Sequence, residues 1–312
     1  MKRDSRVRRR LKLRDLDTLV AVAQHGSMAK AAAHLSVSQP AISKAIAEME
    51  HVLGVRLLDR TAHGVEPNLY GRALMKWATV VFDNVKQGVA EIEFLADPTT
   101  GELRLGATEP MIAGLLPPII ERLHRQYPRI SITVNQVTAT EQYRELRARS
   151  VDLILGRIAQ PVDEDIEAEV LFHERTFVVA GLDNRWSGRR KISLGELLNE
   201  QWVLPPPDTV VGSLIAKAFR ASGFDVPRSN VVTVSIQLFG ALLASGCYLA
   251  ICPASMLRFS GKRLGLKALP VELPAPPWPV AITTLKNRTI SPVAEIFIEC
   301  TREVAKPLAN GK

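Results

Sequence analysis

The chain has 312 residues, 46 % of them hydrophobic and 23 % charged, and a formal net charge of +8 at pH 7. That length accommodates two or three domains, and this balance of apolar and charged residues excludes a disordered chain. No run of about 18 apolar residues is present to span a bilayer, and three cysteines, Cys247, Cys252 and Cys300, suit neither a disulfide framework nor a thiolate metal site. They read as small core residues in a reducing cytoplasm.

The positive charge is concentrated at the start. Residues 1–13 form a basic arm, and Lys2, Arg3, Arg6, Arg8, Arg9, Arg10, Lys12 and Arg14 face only Asp4. Such an arm suits a phosphate backbone; a solubilising tail is the alternative. No apolar run of 7–15 residues follows it, as a signal peptide requires.

Residues 14–68 read as short helices separated by turn signals. Leu13, Leu16, Leu19, Val20 and Ala23 give the first helix (residues 14–24) one apolar face. Gly26 stops it and Ser27 can cap the next, alanine-rich helix over residues 28–35. After the turn at Ser36-Val37-Ser38, Ser38 can cap a third helix that carries Pro40 in its first turn. Its apolar residues Ile42, Ile46, Met49 and Leu53 point inward, which turns Gln39, Ser43 and Lys44 outward near the N-terminal end.

A recognition helix enters the DNA major groove with those N-terminal residues at the base edges. Gln can bond adenine in two places, Lys can donate to guanine or phosphate, and the hydroxyls of Ser36 and Ser38 suit phosphate oxygens. Gly54 ends the helix. Residues 55–59 and 64–66 can form a hairpin wing carrying Arg56, Arg60 and His63. The DNA-contacting set is therefore Ser36, Ser38, Gln39, Pro40, Ser43, Lys44, Arg56 and Arg60. His25, His34 and His51 lack a metal-ligand spacing, and no metal or cofactor is expected.

From Asn68 the pattern changes. Tyr70, Leu74, Trp77, Val81, Asn84, Gly88, Ile92 and Leu95 recur about every 3.5 residues, the spacing of a helix–helix seam. Residues 69–96 are read as a linker helix that dimerises the chain, with a lone helix lying on its own domain as the alternative. Two-fold symmetry then predicts a pseudo-palindromic site on double-stranded DNA.

Asp97-Pro98-Thr99-Thr100-Gly101 breaks the helix. Residues 101–307 alternate strand-like and helix-like segments, which argues for an α/β domain. One βαβαβ pattern over residues 103–155 is echoed over residues 202–252, so two lobes are expected: lobe I from about 101–161 and 268–307, lobe II from about 162–267. A cleft beside the carboxyl ends of their strands is where a small molecule binds. The turns that open onto helices supply Thr108, Glu109, Thr138, Thr140, Thr209 and Ser235; each hydroxyl can cap its helix or hold a ligand. Glu109 and Asp208 would disfavour an anion there and point to a neutral polyol such as a sugar. The chain contains no G-x-S-x-G, G-x-G-x-x-G, P-loop or H-E-x-x-H motif, which argues against an enzyme. A receptor for a transported solute shares the two-lobed plan but leaves residues 14–68 unexplained.

Ungapped runs carry a family resemblance: Val22-Ala23-Gln24-His25-Gly26-Ser27, Ala31-Ala32-Ala33-His34-Leu35, residues 37–46 and Leu53-Gly54-Val55-Arg56-Leu57-Leu58-Asp59-Arg60-Thr61. They resemble the DNA-binding domain of LysR-type transcription regulators. Looser matches at Gly106, Leu116-Pro117, Ser245-Gly246 and Ile251-Cys252-Pro253 extend the likeness over nearly the whole chain. Met28 stands where the family often has an aromatic, Lys44 where Arg is usual, and Asn68 closes the wing in place of Thr. The resemblance implies a winged helix-turn-helix, a linker helix and a periplasmic-binding-protein-like effector domain. It also implies dimers that commonly pair into tetramers, and ligand contacts at Thr108, Thr138 and Ser235. RNA polymerase is a further candidate partner.

Overall fold

The computed structural model describes residues 10–61, 64–159 and 161–309, and the chain divides into two compact units between Val89 and Ala90. Most of the basic arm, up to Arg9, and His63 of the wing lie outside the described residues.

The first unit holds α1 (Leu13–His25), α2 (Met28–His34), α3 (Gln39–Leu53), a hairpin of β1 (Leu58–Thr61) and β2 (Gly64–Pro67), and the start of α4 (Leu69–Ala96). Gly26 ends α1 in the left-handed region at φ 64°, open to a residue without Cβ. Its carbonyl accepts the Val65 N–H at 2.9 Å, which ties the wing to the first helix. Leu19, Val22, Ala31, Ala32, Ile42, Ile46, Met49, Leu57 and Leu58 form the core. The buried face of α1 is rotated from the expected one: Leu16, Leu19 and Val22 are buried, Val20 and Ala23 are half-buried, and Leu13 is exposed.

The second unit contains two five-stranded sheets. The strands of the first are β3 (Thr100–Ala107), β4 (Arg129–Gln136), β5 (Leu153–Arg157), β6 (Ile166–Glu174) and, from far along the chain, Trp278–Leu285. The second has β7 (Thr176–Gly181), β8 (Gln201–Leu204), β9 (Ser229–Val232), β10 (Tyr248–Pro253) and β11 (Leu266–Ala268), so Trp278–Leu285 is β12. Strand order is β4-β3-β5-β12-β6 in one sheet and β11-β7-β10-β8-β9 in the other. Each contains a parallel trio whose first strand lies between the next two, β3 between β4 and β5, β8 between β9 and β10. The two βαβαβ patterns of the sequence are therefore two copies of one plan.

The lobe boundaries differ from those expected at 162 and 268. β6 pairs with β12 from Trp278↔Glu174 to Leu285↔Ile166, so lobe I continues to Glu174 and the chain crosses at Arg175. Leu269, Val271 and Leu273 pack into the core of lobe II, and the chain returns between Leu273 and Trp278. Neither pairing has a local signature, because partners about a hundred residues apart decide it. The first helical segment of the βαβαβ pattern over residues 103–155 is two helices, α5 (Glu109–Ala113) and α6 (Leu116–Gln126). Pro117 and Pro118 open the second, where missing N–H groups do no harm. The remaining helices are α7 (Gln142–Arg147), α8 (Val210–Ala221), α9 (Ile236–Ala244), α10 (Ala254–Ser260) and α11 (Pro292–Ala309). Cys252 and Cys300 are buried as expected, but Cys247 is exposed; burial pushes the Cys252 thiol up to about 12. Among the described residues no helix is long and apolar enough to cross a membrane.

Candidate functional site

Two surfaces are candidates for binding. The first is the N-terminal end of α3. Ile42, Ile46 and Met49 are buried, and that anchoring turns Gln39, Pro40, Ser43 and Lys44 to the exposed side. Ser36 is exposed and holds φ at 55°, a region disfavoured for a residue with Cβ; it makes the sharp turn between α2 and α3. Ser27 and Ser38 sit at N-cap positions with extended backbone, but neither side chain bonds back to its helix. The expected capping bonds are absent, and Ser38 is exposed beside Gln39.

The wing is held on the same unit by Asn68. Its Oδ1 accepts the N–H groups of Tyr70 at 2.9 Å and Gly71 at 3.1 Å, so Asn68 caps α4 as Thr would. Its Nδ2 donates to the Arg56 carbonyl at 3.0 Å. β1 and β2 pair with Arg60 opposite Val65, and the side chains of Arg56 and Arg60 are exposed. Gln39, Ser43 and Lys44 are carried on α3 and Arg60 on β1, with Arg56 in the loop between them.

Along α4, Tyr70, Trp77, Ile92 and Leu95 are 55, 64, 68 and 74 % exposed, and Asn84 is exposed among them. Val81 is half-buried. Leu74 departs from the expected seam, because it packs with Met75 against the core of the first unit. Large apolar side chains repeated on an exposed helix mark an association surface.

The second surface is a cleft of about 580 Å³ between the two lobes, a size that suits a small organic molecule. Thr108, Glu109, Thr138, Thr140, Thr209 and Ser235, the six residues singled out in the sequence, all line it, together with Asp208. Their hydroxyls are not equivalent. Thr209 caps α8 by accepting the Gly212 N–H at 3.0 Å, and Ser235 caps α9 by accepting that of Leu238 at 3.3 Å. Thr138 donates to Glu141 Oε2 at 2.8 Å and lies 3.0 Å from the Thr140 hydroxyl. This bond is the main cause holding the Glu141 carboxyl below its ordinary value. Thr108 stands at the start of α5 without capping it, so its hydroxyl is open to the cleft.

Sequence reasoning missed the floor. Gln142, Tyr143, Arg157, Glu174 and Trp278 line the cleft. Gln142 and Tyr143 follow the Thr138–Thr140 turn with only Glu141 between, and that nearness is a usable signal. Arg157 and Glu174 end neighbouring segments of lobe I but meet only through the tertiary fold. Lobe II contributes a broad apolar surface, with Val203, Leu204, Val211, Leu214, Ile215 and Phe239, beside Asp208 and the hydroxyls of Thr209, Thr233 and Ser235. Among the described residues no group of His, Cys, Asp and Glu could hold a metal ion.

Comparison with known proteins joins these surfaces in one plan. Residues 13–72 match the family described as bacterial regulatory helix-turn-helix protein, lysR family, and residues 96–306 match the LysR substrate binding domain. The chain is 28 % identical over 295 residues to the HTH-type transcriptional regulator GbpR of Azospirillum brasilense, covering 94 % of this chain and 86 % of the relative. It is also 28 % identical to the HTH-type transcriptional regulator PcaQ of Agrobacterium fabrum over 310 residues, 98 % of this chain and 99 % of the relative. Among solved structures, full-length CbnR complexed with target DNA superposes with a TM-score of 0.64 at 22 % identity, covering 94 % of this chain and 100 % of that one.

Proposed function

Because the chain belongs to the LysR family of bacterial helix-turn-helix regulators, whose members are transcription regulators rather than enzymes, we propose that α3 reads a pseudo-palindromic DNA site and that a small effector in the cleft modulates this binding. In this reading Gln39, Ser43 and Lys44 face base edges. Ser36, Ser38, Pro40, Arg56 and Arg60 lie along the phosphates. The observation that carries it is the exposed, outward row Gln39, Ser43 and Lys44 opposite the buried Ile42, Ile46 and Met49. A groove reader needs polar groups presented from a rigid helix end. CbnR, whose fold this chain shares, was crystallised with its target DNA.

The chain acts as a homodimer through α4, or as a pair of dimers, in the cytoplasm where its DNA lies. RNA polymerase is the partner through which a bound dimer alters transcription; in-vitro transcription with purified polymerase checks that step. The effector is uncharged and hydroxyl-bearing, the class of a sugar or other polyol, since Glu109 and Asp208 line the cleft without an ion-pair partner among the described residues. A ligand can shift DNA binding only by preferring one of two arrangements of the domain.

Selection of bound duplexes from a random library by the full-length protein tests the reading. Enrichment of a two-fold site is expected, and Gln39→Ala should lower affinity for it by about 1–3 kcal/mol and relax one base pair. Equal loss on selected and random DNA would demote Gln39 to a backbone contact, and a library without enrichment would refute sequence-specific binding.

A further inference from the structure

The floor of the cleft carries one cation and one anion, and they neutralise each other. The Glu174 side chain is 0 % and that of Arg157 10 % exposed. Glu174 Oε2 accepts both Arg157 Nε at 3.2 Å and Nη2 at 3.1 Å. The other carboxylate oxygen, Oε1, accepts the backbone N–H of Ser255 at 2.9 Å. A ligand carboxylate lowered onto this floor meets a guanidinium whose charge is already balanced. A ligand ammonium meets a carboxylate with both oxygens engaged. On the floor itself either ion would be stripped of water without an unmatched counter-charge, which is strongly unfavourable. The carboxylates that line the cleft without an ion-pair partner among the described residues, those of the half-buried Glu109 and the exposed Asp208, keep contact with solvent and are screened there.

What stays open at this depth is neutral. Gln142 is 3 % exposed; its Nε2 reaches the Arg157 carbonyl at 3.5 Å, while its Oε1 is buried with no hydrogen-bond partner. The Tyr143 hydroxyl is buried and unpartnered as well. Buried polar atoms are almost always satisfied, so such atoms on a cavity wall call for a partner from the cavity. Gly156 leaves room beside them, since a Cβ there would lie 3.1 Å from Thr108 Cγ2 and 3.4 Å from Gln142 Oε1. Opposite stand the aliphatic and aromatic side chains of lobe II, from Val203 and Leu204 to Leu214, Ile215 and Phe239. The hydroxyls of Thr209, Thr233 and Ser235 among them already accept backbone N–H groups and Asp208 is exposed, so a strongly hydroxylated molecule laid on this surface would lose hydration with little replacement.

We propose that the cleft is built for a neutral amphipathic molecule, with a hydrocarbon or aromatic body on the lobe II wall and an uncharged hydroxyl or amide N–H donating to Gln142 Oε1. This keeps the uncharged, hydroxyl-bearing character of the effector proposed above but excludes simple polyols and sugars from that class, and it rests on the cleft being the effector site. Gln142 supplies the specificity for a donor, the Arg157–Glu174 pair excludes ions, and the lobe II wall excludes ligands polar all round.

The test is calorimetric binding to the full-length protein of four probes, 4-phenyl-1-butanol, 4-phenylbutyrate, 4-phenylbutylamine and sorbitol. The alcohol should bind, with the carboxylate, the amine and sorbitol at least about tenfold weaker. Gln142→Leu should weaken the alcohol about fivefold, the loss of one hydrogen bond, yet leave butylbenzene, which has no hydroxyl, unweakened. Leu214→Asp, at a half-buried position, should weaken both. Tighter binding of the carboxylate, the amine or sorbitol overturns the proposal, as does the absence of binding by all four at millimolar concentration. An alcohol insensitive to both substitutions binds elsewhere and removes the cleft as its site. DNA selection by the same protein is read separately, so failure of the regulator reading would show there and not here.

Discussion

Glu174 takes two hydrogen bonds from Arg157 on a single carboxylate oxygen, at 3.2 and 3.1 Å. Its second oxygen takes a backbone N–H from Ser255, at the start of α10 in lobe II. One buried carboxylate therefore neutralises the cleft floor and links the two lobes. Glu174→Gln keeps the shape and removes the charge. It should destabilise the domain by about 3–5 kcal/mol, the effect of leaving one member of a buried pair uncompensated. It should also raise the affinity for 4-phenylbutyrate about tenfold. Thermal unfolding and calorimetry read both; a variant that still excludes the carboxylate would show that the pair does not set charge selectivity.

Asp152 sits between Arg104 and Arg288, accepting from Nη2 of each at 2.6 Å. Burial pushes its carboxyl up, but the hydrogen bonds from the Arg104 side chain and backbone and the two guanidinium charges outweigh that and hold it below the ordinary range. A carboxyl whose folded value is depressed contributes stability that is fully present above its unfolded value, about 3.9, and lost as pH falls through the folded value. The stability gap between the wild type and Asp152→Asn should accordingly be constant above about pH 5 and shrink below about pH 4. Urea unfolding across that range checks it, and a gap unchanged into strong acid would mean that hydrogen bonding, not charge, carries the contribution.

Arg60 projects from the wing with its side chain exposed. If it lies along a phosphate, Arg60→Ala should weaken binding to selected and random DNA alike and reduce the slope of log affinity against log salt by about 0.9. An unchanged slope in a salt titration takes Arg60 out of the interface.

Trp77 and Ile92 are 64 % and 68 % exposed on α4. The double substitution Trp77→Glu with Ile92→Glu adds charge to the seam without touching the buried core of the first unit. Sedimentation should show the oligomer dissociating toward monomer, with DNA affinity falling because a two-fold site needs two recognition helices. A dimer that survives would assign association to another surface.

Elements whose cause is local could be read from the residues alone. Ile42, Ile46 and Met49 at helical spacing oriented α3, Gly26 and Gly54 marked helix ends, and the repeat from Tyr70 to Leu95 marked out α4 over the residues at which it is found. Strand–turn–helix order named six residues that all line the cleft, because the turns after parallel strands gather at one edge of the sheet. Which hydroxyls stay open was decided only by tertiary structure: Thr209 and Ser235 are engaged as caps and Thr108 is not. The same is true of Leu74, drawn from the seam into the core of its own unit. The lobe boundary and the charge of the floor were equally out of reach. β6 joins lobe I because it pairs with β12, and Arg157 is neutralised because Glu174 ends that strand beside it. Both depend on contacts between residues far apart in the chain, and such contacts leave no periodicity for a local reading to find.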